Sequence, residues 1–418
     1  MEAKVGDRVI LGTVKEDVEG VLLESSEPEI YLIKLKSGYN IGIKKEDVHR
    51  IEIIQERKEI VQKPIKPQIN KNLPNVDMII TGGTISSRLD PETGAVKSLT
   101  NPADLLKFYP ELLEICNIRK IEVPFMKLSE NMDPLDWKEI ATVAEKSLND
   151  DECAGIIITH GTDILHYTSA ALSFFLKDLN KPVVLTFAQR SSDRASSDAS
   201  LNLQCAARAA VSDIAEVMIV GHGTWNDNFC YALLGTKVRK LHSSRRDAFK
   251  PVNTKPIARI YTDRIEIMGK FNQRNDKKVK LDDKFNDKVA LLKFYPGMDY
   301  EILESYGRYS GIVIEGTGFG HVATDEGRKN LLPILKKLMD NGTIICMTTQ
   351  TIFGTTNSLV YSAGRKILKT GVIYLEDMLP ETAYVKLAWV LGHKEWRNKV
   401  KEKMLENISG EINKRLEE

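Results

Sequence analysis

Short apolar runs recur at close spacing near the start of the chain: DRVILGTV, EGVLLESS, EIYLIKLKSG, YNIGIKK and VHRIEII, with glycine or acidic turns between them. Several short strands punctuated this way predict a small all-β unit, an SH3-like β-barrel, over residues 1–60. VQKPIKPQINKNLPNV then brings three prolines and no apolar periodicity, so residues 61–75 read as a linker. From Val76 the pattern changes. VDMIIT, IIITHGTD, PVVLTFA and EVMIVGHG are continuous apolar runs of strand length, and stretches of helical period such as WKEIATVAEKSLND and HYTSAALSFFLKDL lie between them. That alternation predicts βαβ units and an α/β, doubly wound parallel sheet over residues 76–285, with a hairpin and a charged connector over 262–290. A second α/β unit is expected over 286–418. Its strands are SGIVIEGTGFGHV and GTIICMTTQT, its helix EGRKNLLPILKKLMDNG ends at a glycine, and a mixed-charge helix fills the last 25 or so residues. Gly316, Gly318 and Gly320 lack the G-x-G-x-x-G spacing of dinucleotide binding and read as a tight turn.

Composition narrows the class. A chain of 418 residues exceeds one ordinary core, which gives two or three domains. With 59 basic against 58 acidic residues the net charge is +1, so the chain as a whole lacks the electrostatic footprint of a protein that holds nucleic acid unaided, and any RNA contact is local or shared with a partner. Five scattered cysteines without C-x-x-C spacing fit a reducing cytosol. The opening MEAKVGDRVILG has neither a basic segment followed by an apolar one nor a run able to cross a bilayer, so the expectation is a cytoplasmic protein with no membrane contact. No histidine pair has the spacing of a metal-binding helix, and no metal site is expected.

In parallel sheets ligands bind beyond the carboxyl ends of strands. Three such ends carry reactive groups: Thr81 and Thr84 in MIITGGTISS, Thr159–Asp163 in THGTD, and the polar run AQRSSDRASSD from Ala188 to Asp198. Gly82 and Gly83 allow a sharp turn and a close approach. A threonine hydroxyl is a poor nucleophile until something takes its proton, so the site needs a base.

TGGTISS together with IITHGTDILHYTSAAL resembles the two signature segments of bacterial-type L-asparaginases and glutaminases, amidohydrolases that release ammonia from a side-chain amide. DMLPETAYVKLAWVLG, Asp377 to Gly392, is similar to the C-terminal helix of that family. The resemblance implies an asparaginase-like two-domain parallel-sheet fold behind the barrel. It implies Thr84 as primary nucleophile, Thr162 and Asp163 as the second catalytic threonine and its aspartate, and Lys240 in GTKVRKLHSS as the lysine completing the group, with Lys237 as the neighbouring alternative. Ser129 and Glu130 in KLSENMDP fall where family members bind the α-amino and α-carboxylate ends of the substrate. An isolated lysine, pKa near 10.4, is no base at neutral pH; burial lowers that value and a neighbouring aspartate opposes the shift. The expected chemistry is a relay through Lys240, Asp163 and Thr162 that lets Thr84 or a water attack the amide carbon, with backbone N–H groups of the glycine turns on the oxyanion and Asp163 on the substrate's ammonium. His160 and His222 are expected as structural groups beside the pocket, and Arg190, Asp193 and Arg194 as an ion-pair network shaping their loop.

Three features depart from stand-alone asparaginases. RLDPETGAVKS has no lid tyrosine, so Thr93, another group or a partner substitutes; AQRSSDRASSDASLNL replaces a G-A-x-R-P segment; and the N-terminal barrel is added. All three resemble the family of D subunits of archaeal glutamyl-tRNA(Gln) amidotransferases. That resemblance implies hydrolysis of glutamine to glutamate and ammonia, with the ammonia consumed by an E subunit that phosphorylates and amidates the glutamate on Glu-tRNA(Gln). It implies that ATP and Mg2+ belong to that partner and that this chain needs no cofactor of its own. The tRNA is held mainly through the partner, and a homodimer sits inside an α2β2 complex with each pocket completed by the neighbouring chain. The barrel and the AQRSSDR loop are expected to dock or gate. A free-standing asparaginase or glutaminase, or a non-catalytic binding module, are the competing readings.

Overall fold

The computed structural model describes residues 3–23, 25, 27–36, 40–56, 70–83, 85, 87–89, 96–98, 109–190 and 196–415. Five short strands come first: β1 (Arg8–Thr13), β2 (Asp17–Leu23), β3 (Ile30–Leu35), β4 (Asn40–Lys44) and β5 (Val48–Gln55). They pair antiparallel in the order β4-β3-β2-β1-β5, so the last strand returns to the first as in an SH3-like barrel. Side chains alternate across a strand, and the inward set, Val9, Leu11, Leu22 and Ile33, forms a core of its own.

The next strand, β6 (Asn75–Ile80), is followed by an antiparallel hairpin of β7 (Ser87–Leu89) and β8 (Val96–Ser98). β9 (Asn117–Glu122), β10 (Gly155–Thr159), a two-residue β11 (Leu176–Lys177), β12 (Val183–Thr186), β13 (Val217–His222) and β14 (Cys230–Leu234) follow. Then come β15 (Val238–Lys240), β16 (Phe249–Pro251), β17 (Ala258–Ile260), β18 (Ile265–Ile267) and β19 (Lys280–Leu281). The main sheet has eight strands in the order β18-β17-β14-β13-β12-β10-β6-β9. Its β9, β6, β10, β12 and β13 are parallel, as the strand–helix alternation predicts. β14, β17 and β18 are an antiparallel extension that the expectation of a purely parallel sheet left out. The connection from β13 to β14 is too short for a crossover, and a short connection joins only antiparallel strands.

Helices α1 (Pro134–Leu148) and α2 (Leu165–Phe175) cover one face of this sheet and α3 (Ala199–Ala210) the other. The strands read as unbroken apolar runs because both faces are buried: Ile79, Ile158, Leu185 and Ile219 pack toward α1 and α2, whereas Met78, Ile157, Val184 and Met218 pack toward α3. α1 begins where Asp133 accepts from Leu135 N at 2.7 Å and its own N–H is taken by Asp136 at 2.9 Å, a reciprocal cap ahead of Pro134.

The second unit runs β20 (Val289–Lys293), α4 (Tyr300–Glu304), β21 (Gly311–Gly316), α5 (Leu332–Asp340), β22 (Ile344–Thr349), α6 (Ser362–Lys369), β23 (Ile373–Tyr374) and α7 (Pro380–Gly392). Its four strands are parallel in sequence order. The glycine run is a tight turn, as its spacing predicts: Thr317 N bonds to His321 O at 2.8 Å, with Gly318 and Gly320 at positive φ. α7 and α2 pack between the two sheets, so residues of both units share one hydrophobic core.

The end of the chain differs from the expected mixed-charge helix. A 3-10 turn (Lys394–Lys399) leads into α8 (Val400–Leu405), only six residues, and residues 406–415 are irregular. Helix periodicity loses there to side chains that capture the backbone: Glu411 accepts from Ile408 N and Ser409 N, and Asn413 N donates to Asp377. Lys386, fully buried in α7, closes the arrangement through an ion pair with Glu411. Among the described residues no helix is long and apolar enough to cross a membrane.

Candidate functional site

The carboxyl ends of β6 and β10 are tied together by Thr81, whose hydroxyl and N–H both donate to Thr159 O, at 2.8 and 3.2 Å. Gly82 and Gly83 follow with φ of +131° and +85°, a backbone that favours glycine. Space demands glycine as well. A Cβ on Gly82 would lie 2.2 Å from Lys127 O, and one on Gly83 would lie 2.7 Å from His160 O. A Cβ on Gly161 would lie 2.9 Å from the Ser129 hydroxyl. The TGG, KLSE and HGTD turns therefore touch one another at one edge of the sheet. Thr84 and Thr93 lie outside the described residues; the turn that leads into Thr84 is pressed against His160–Gly161.

Ser129 is buried, in the single 3-10 turn Ser129–Asn131, and its hydroxyl accepts from Asp163 N at 3.1 Å. Glu130 beside it is exposed. Lys240 closes β15, held in register opposite Phe249 of β16. Its ammonium donates to Thr162 Oγ1 at 2.8 Å and to Asp163 Oδ1 at 2.8 Å. The lysine is nearly enclosed, at 12% side-chain exposure, whereas Asp163 is 60% exposed, so the carboxylate faces the opening and the ammonium sits behind it. A hydroxyl that accepts from an ammonium must point its own proton elsewhere, so Thr162 is oriented as a donor or proton carrier toward the open side.

The structure separates the two lysines. Lys237 is buried and aimed the other way, with its ammonium on Asp377 Oδ2 at 2.5 Å and Asp377 O at 3.0 Å. It fastens the main sheet to the start of α7 and takes no part in the threonine cluster. His160 bridges Gly161 O at 2.7 Å and Thr168 Oγ1 at 2.9 Å, which ties the HGT turn to α2, and burial pushes its imidazole down to about 4. His222 is held between Asn202 at 2.6 Å and Asp227 at 3.0 Å. In the AQRSSDR loop Asp193 and Arg194 lie outside the described residues. The start of that loop is shaped by Asp198, fully buried, which accepts from Gln189 N, Arg190 N and the Asn202 amide.

A second polar group stands behind Lys240 and was not singled out in the sequence. Glu381, in the first turn of α7, pairs with Arg239 at 2.9 Å and lies 3.9 Å from His166. Burial raises the Glu381 carboxyl against the pull of Arg239. Burial, with the charges of Arg239 and Lys240, pushes the His166 imidazole down to about 3. Among the described residues Glu381 Oε2 and His166 Nδ1 have no hydrogen-bond partner. An acidic residue just inside a helix start reads in sequence as an ordinary answer to the helix dipole, which is why Glu381 gave no signal.

Comparison with known proteins places these turns in context. The chain matches the model of the asparaginase N-terminal domain over residues 75–273, that of the glutaminase/asparaginase C-terminal domain over 288–404, and that of the GatD N-terminal domain over 3–54. It is 48% identical to the D subunit of the glutamyl-tRNA(Gln) amidotransferase of Pyrococcus furiosus, across 98% of this chain and 95% of the relative. The protein of the same name in Archaeoglobus fulgidus is 43% identical, across 97% and 95%. Among solved structures, the thermostable L-asparaginase from Thermococcus kodakarensis superimposes with a TM-score of 0.72 at 31% identity, covering 81% of this chain and 99% of that one. L-asparaginase I from Vibrio cholerae gives a TM-score of 0.68 at 26% identity, covering 82% and 99%.

Proposed function

The chain belongs to the family of glutamyl-tRNA(Gln) amidotransferase D subunits, and from that premise we propose that it is the glutamine-hydrolysing subunit of a tRNA-dependent amidotransferase, with Thr162, Asp163 and Lys240 in its catalytic machinery. The observation that carries the assignment is the pair of 2.8 Å contacts from Lys240 to Thr162 and Asp163, made by residues far apart in sequence at the edge where the three turns meet.

Glutamine binds with its ammonium on the exposed carboxylate of Asp163 and its main-chain polar ends on Ser129 and Glu130. The side-chain amide then lies among the TGG and HGT turns, whose backbone N–H groups take the charge that develops on its oxygen. Thr84 or a water attacks the amide carbon. One C–O bond forms, the C–N bond breaks, and the proton of the attacking hydroxyl passes through the Thr162–Lys240 pair to the departing nitrogen, which leaves as ammonia. If Thr84 attacks, a water then cleaves the glutamyl ester and glutamate is released. A partner amidotransferase subunit uses the ammonia. The partner is an E subunit that activates the glutamate of Glu-tRNA(Gln), and it carries the ATP and Mg2+ in an α2β2 complex. This chain supplies ammonia and needs no cofactor for that half-reaction.

The test is ammonia release from glutamine by the assembled complex with charged tRNA. Lys240→Ala and Thr162→Ala are expected to lose at least about a hundredfold in kcat, the usual scale for a proton-transfer group, with unchanged assembly. Turnover at the wild-type rate in either variant refutes the roles. Full-rate turnover of asparagine or glutamine by the wild-type chain alone, indifferent to partner and tRNA, identifies a free-standing amidohydrolase instead.

A further inference from the structure

Away from the threonine cluster, where β21 and β22 begin, lies a groove of about 670 Å³. Its walls come from the turn before β21, the turn before β22, and the segment that leaves α7. It faces the amino ends of these strands, whereas Thr162 and Asp163 follow the carboxyl end of β10, so it is no extension of the site described above.

The chemistry of this groove is one-sided. Arg308, Lys394 and Arg397 line it together with the amides Asn286, Asn341 and Asn398, and none of its lining residues is Asp or Glu. Three nearby acids are occupied elsewhere: Glu304 pairs with Lys337, Asp340 with Lys336, and Glu395 with Lys284. Asp287, exposed next to Asn286, does not line the groove and is followed directly by Lys288. Arg308 lies over the ring of Tyr309, 5.8 Å from its centroid, rather than on a carboxylate. His393 on the inner wall is committed inward, to Trp389 O at 2.8 Å and Asp282 at 2.9 Å. In a chain whose charges balance at 59 against 58, a concave surface that collects exposed cations and amides and excludes every carboxylate is a local positive field. Like charges gathered this way repel unless an anion sits among them.

We propose that this groove seats the phosphodiester backbone of the tRNA on which the complex acts, and the inference rests on the amidotransferase reading above. Cations answer the phosphates, and amides that both donate and accept can answer ribose 2′-hydroxyls. The contact is local, as a chain of net charge +1 requires of any part of the RNA that it holds itself.

The complex assembled with its partner subunit tests this through the triple variant Arg308→Gln, Lys394→Gln, Arg397→Gln, all at exposed positions. Affinity for tRNA(Gln) is measured across a salt series. The variant is expected to bind at least about tenfold more weakly, and the slope of log affinity against log salt is expected to shrink by about one for each phosphate contact removed. Glutaminase activity without tRNA and assembly with the partner are expected to stay at wild-type values. An unchanged affinity and salt slope overturns the proposal. So does loss of the partner subunit, which makes the groove a protein interface. A variant that loses only stabilisation by inorganic phosphate, with tRNA affinity intact, makes it a small-anion site and overturns the proposal too. A wild-type complex that binds no tRNA is a different failure, that of the amidotransferase reading itself.

Discussion

Lys240 and Lys237 stand three positions apart on one short stretch and do unrelated work. Lys237 belongs to the turn after β14, its N–H bonded to Leu234 O, whereas Lys240 ends β15, so one ammonium reaches Thr162 and Asp163 while the other is buried on Asp377. His160 shows a different economy, a polar ring spent on geometry. It is fully buried and neutral, with both nitrogens satisfied, and it fixes the turn that carries Thr162. Its folded value, about 4, is below the ordinary 6.5, so the unfolded chain takes the proton first. Stability from the neutral ring is therefore fully present above pH 6.5 and is lost as pH falls from there toward about 4. Denaturant titration of wild type between pH 7 and pH 4.5 is expected to show a loss on the order of 2–3 kcal/mol from this group. His160→Gln, less stable at pH 7, should show a correspondingly flatter dependence. An equal slope in both proteins would show that His160 contributes none of it.

At the scale of elements, α7 is the link between the strand that carries Lys240 and the second unit. Its first turn places Glu381 against Arg239, the residue before Lys240, and its interior sends Lys386 to Glu411 in the C-terminal segment. Removing the carboxylate leaves a largely enclosed guanidinium unpaired and frees the strand that aims Lys240. Displacements of about 1 Å at such a distance cost up to about a hundredfold in rate, so Glu381→Ala is expected to lower kcat ten- to a hundredfold with KM nearly unchanged. Glu381→Gln, which keeps a hydrogen-bond acceptor for Arg239, should recover part of the loss. Wild-type kcat in Glu381→Ala would show that Glu381 merely caps the helix. The elements themselves were largely legible. β6, β10, β12 and β13 announced themselves as apolar runs closed by glycine or polar residues, because a strand buried on both faces has no polar alternation to confuse it. The C-terminal segment was misread because its mixed charges mimic a solvated helix, while what shapes it is capture of its N–H groups by Glu411 and Asp377, contacts that no local pattern reports.

For the whole molecule the two α/β units share one core through α2 and α7, whereas the N-terminal sheet closes on a core of its own around Val9, Leu11, Leu22 and Ile33. A unit that small holds a thin margin of stability. All four tryptophans lie in the α/β part, at positions 137, 225, 389 and 396. Denaturant unfolding followed by tryptophan fluorescence is therefore expected to lag the far-ultraviolet circular dichroism change, with the small sheet melting first. Coincident curves would show that the sheet is stabilised by contacts with the rest.

The sequence by itself determined the alternation of buried strands and helices from β6 to β13, the barrel ahead of them, and the motifs HGTD and GTKVRK that bring a threonine, an aspartate and a lysine into question, because each of these is written in neighbouring residues. Only the tertiary structure decided which lysine serves the cluster, that Glu381 stands behind it, that Asp198 organises the third loop, and that a carboxylate-free groove opens at the far end of the second sheet. Those outcomes depend on which side chains meet across the fold, and burial and charge pairing between distant segments are settled by packing rather than by spacing along the chain.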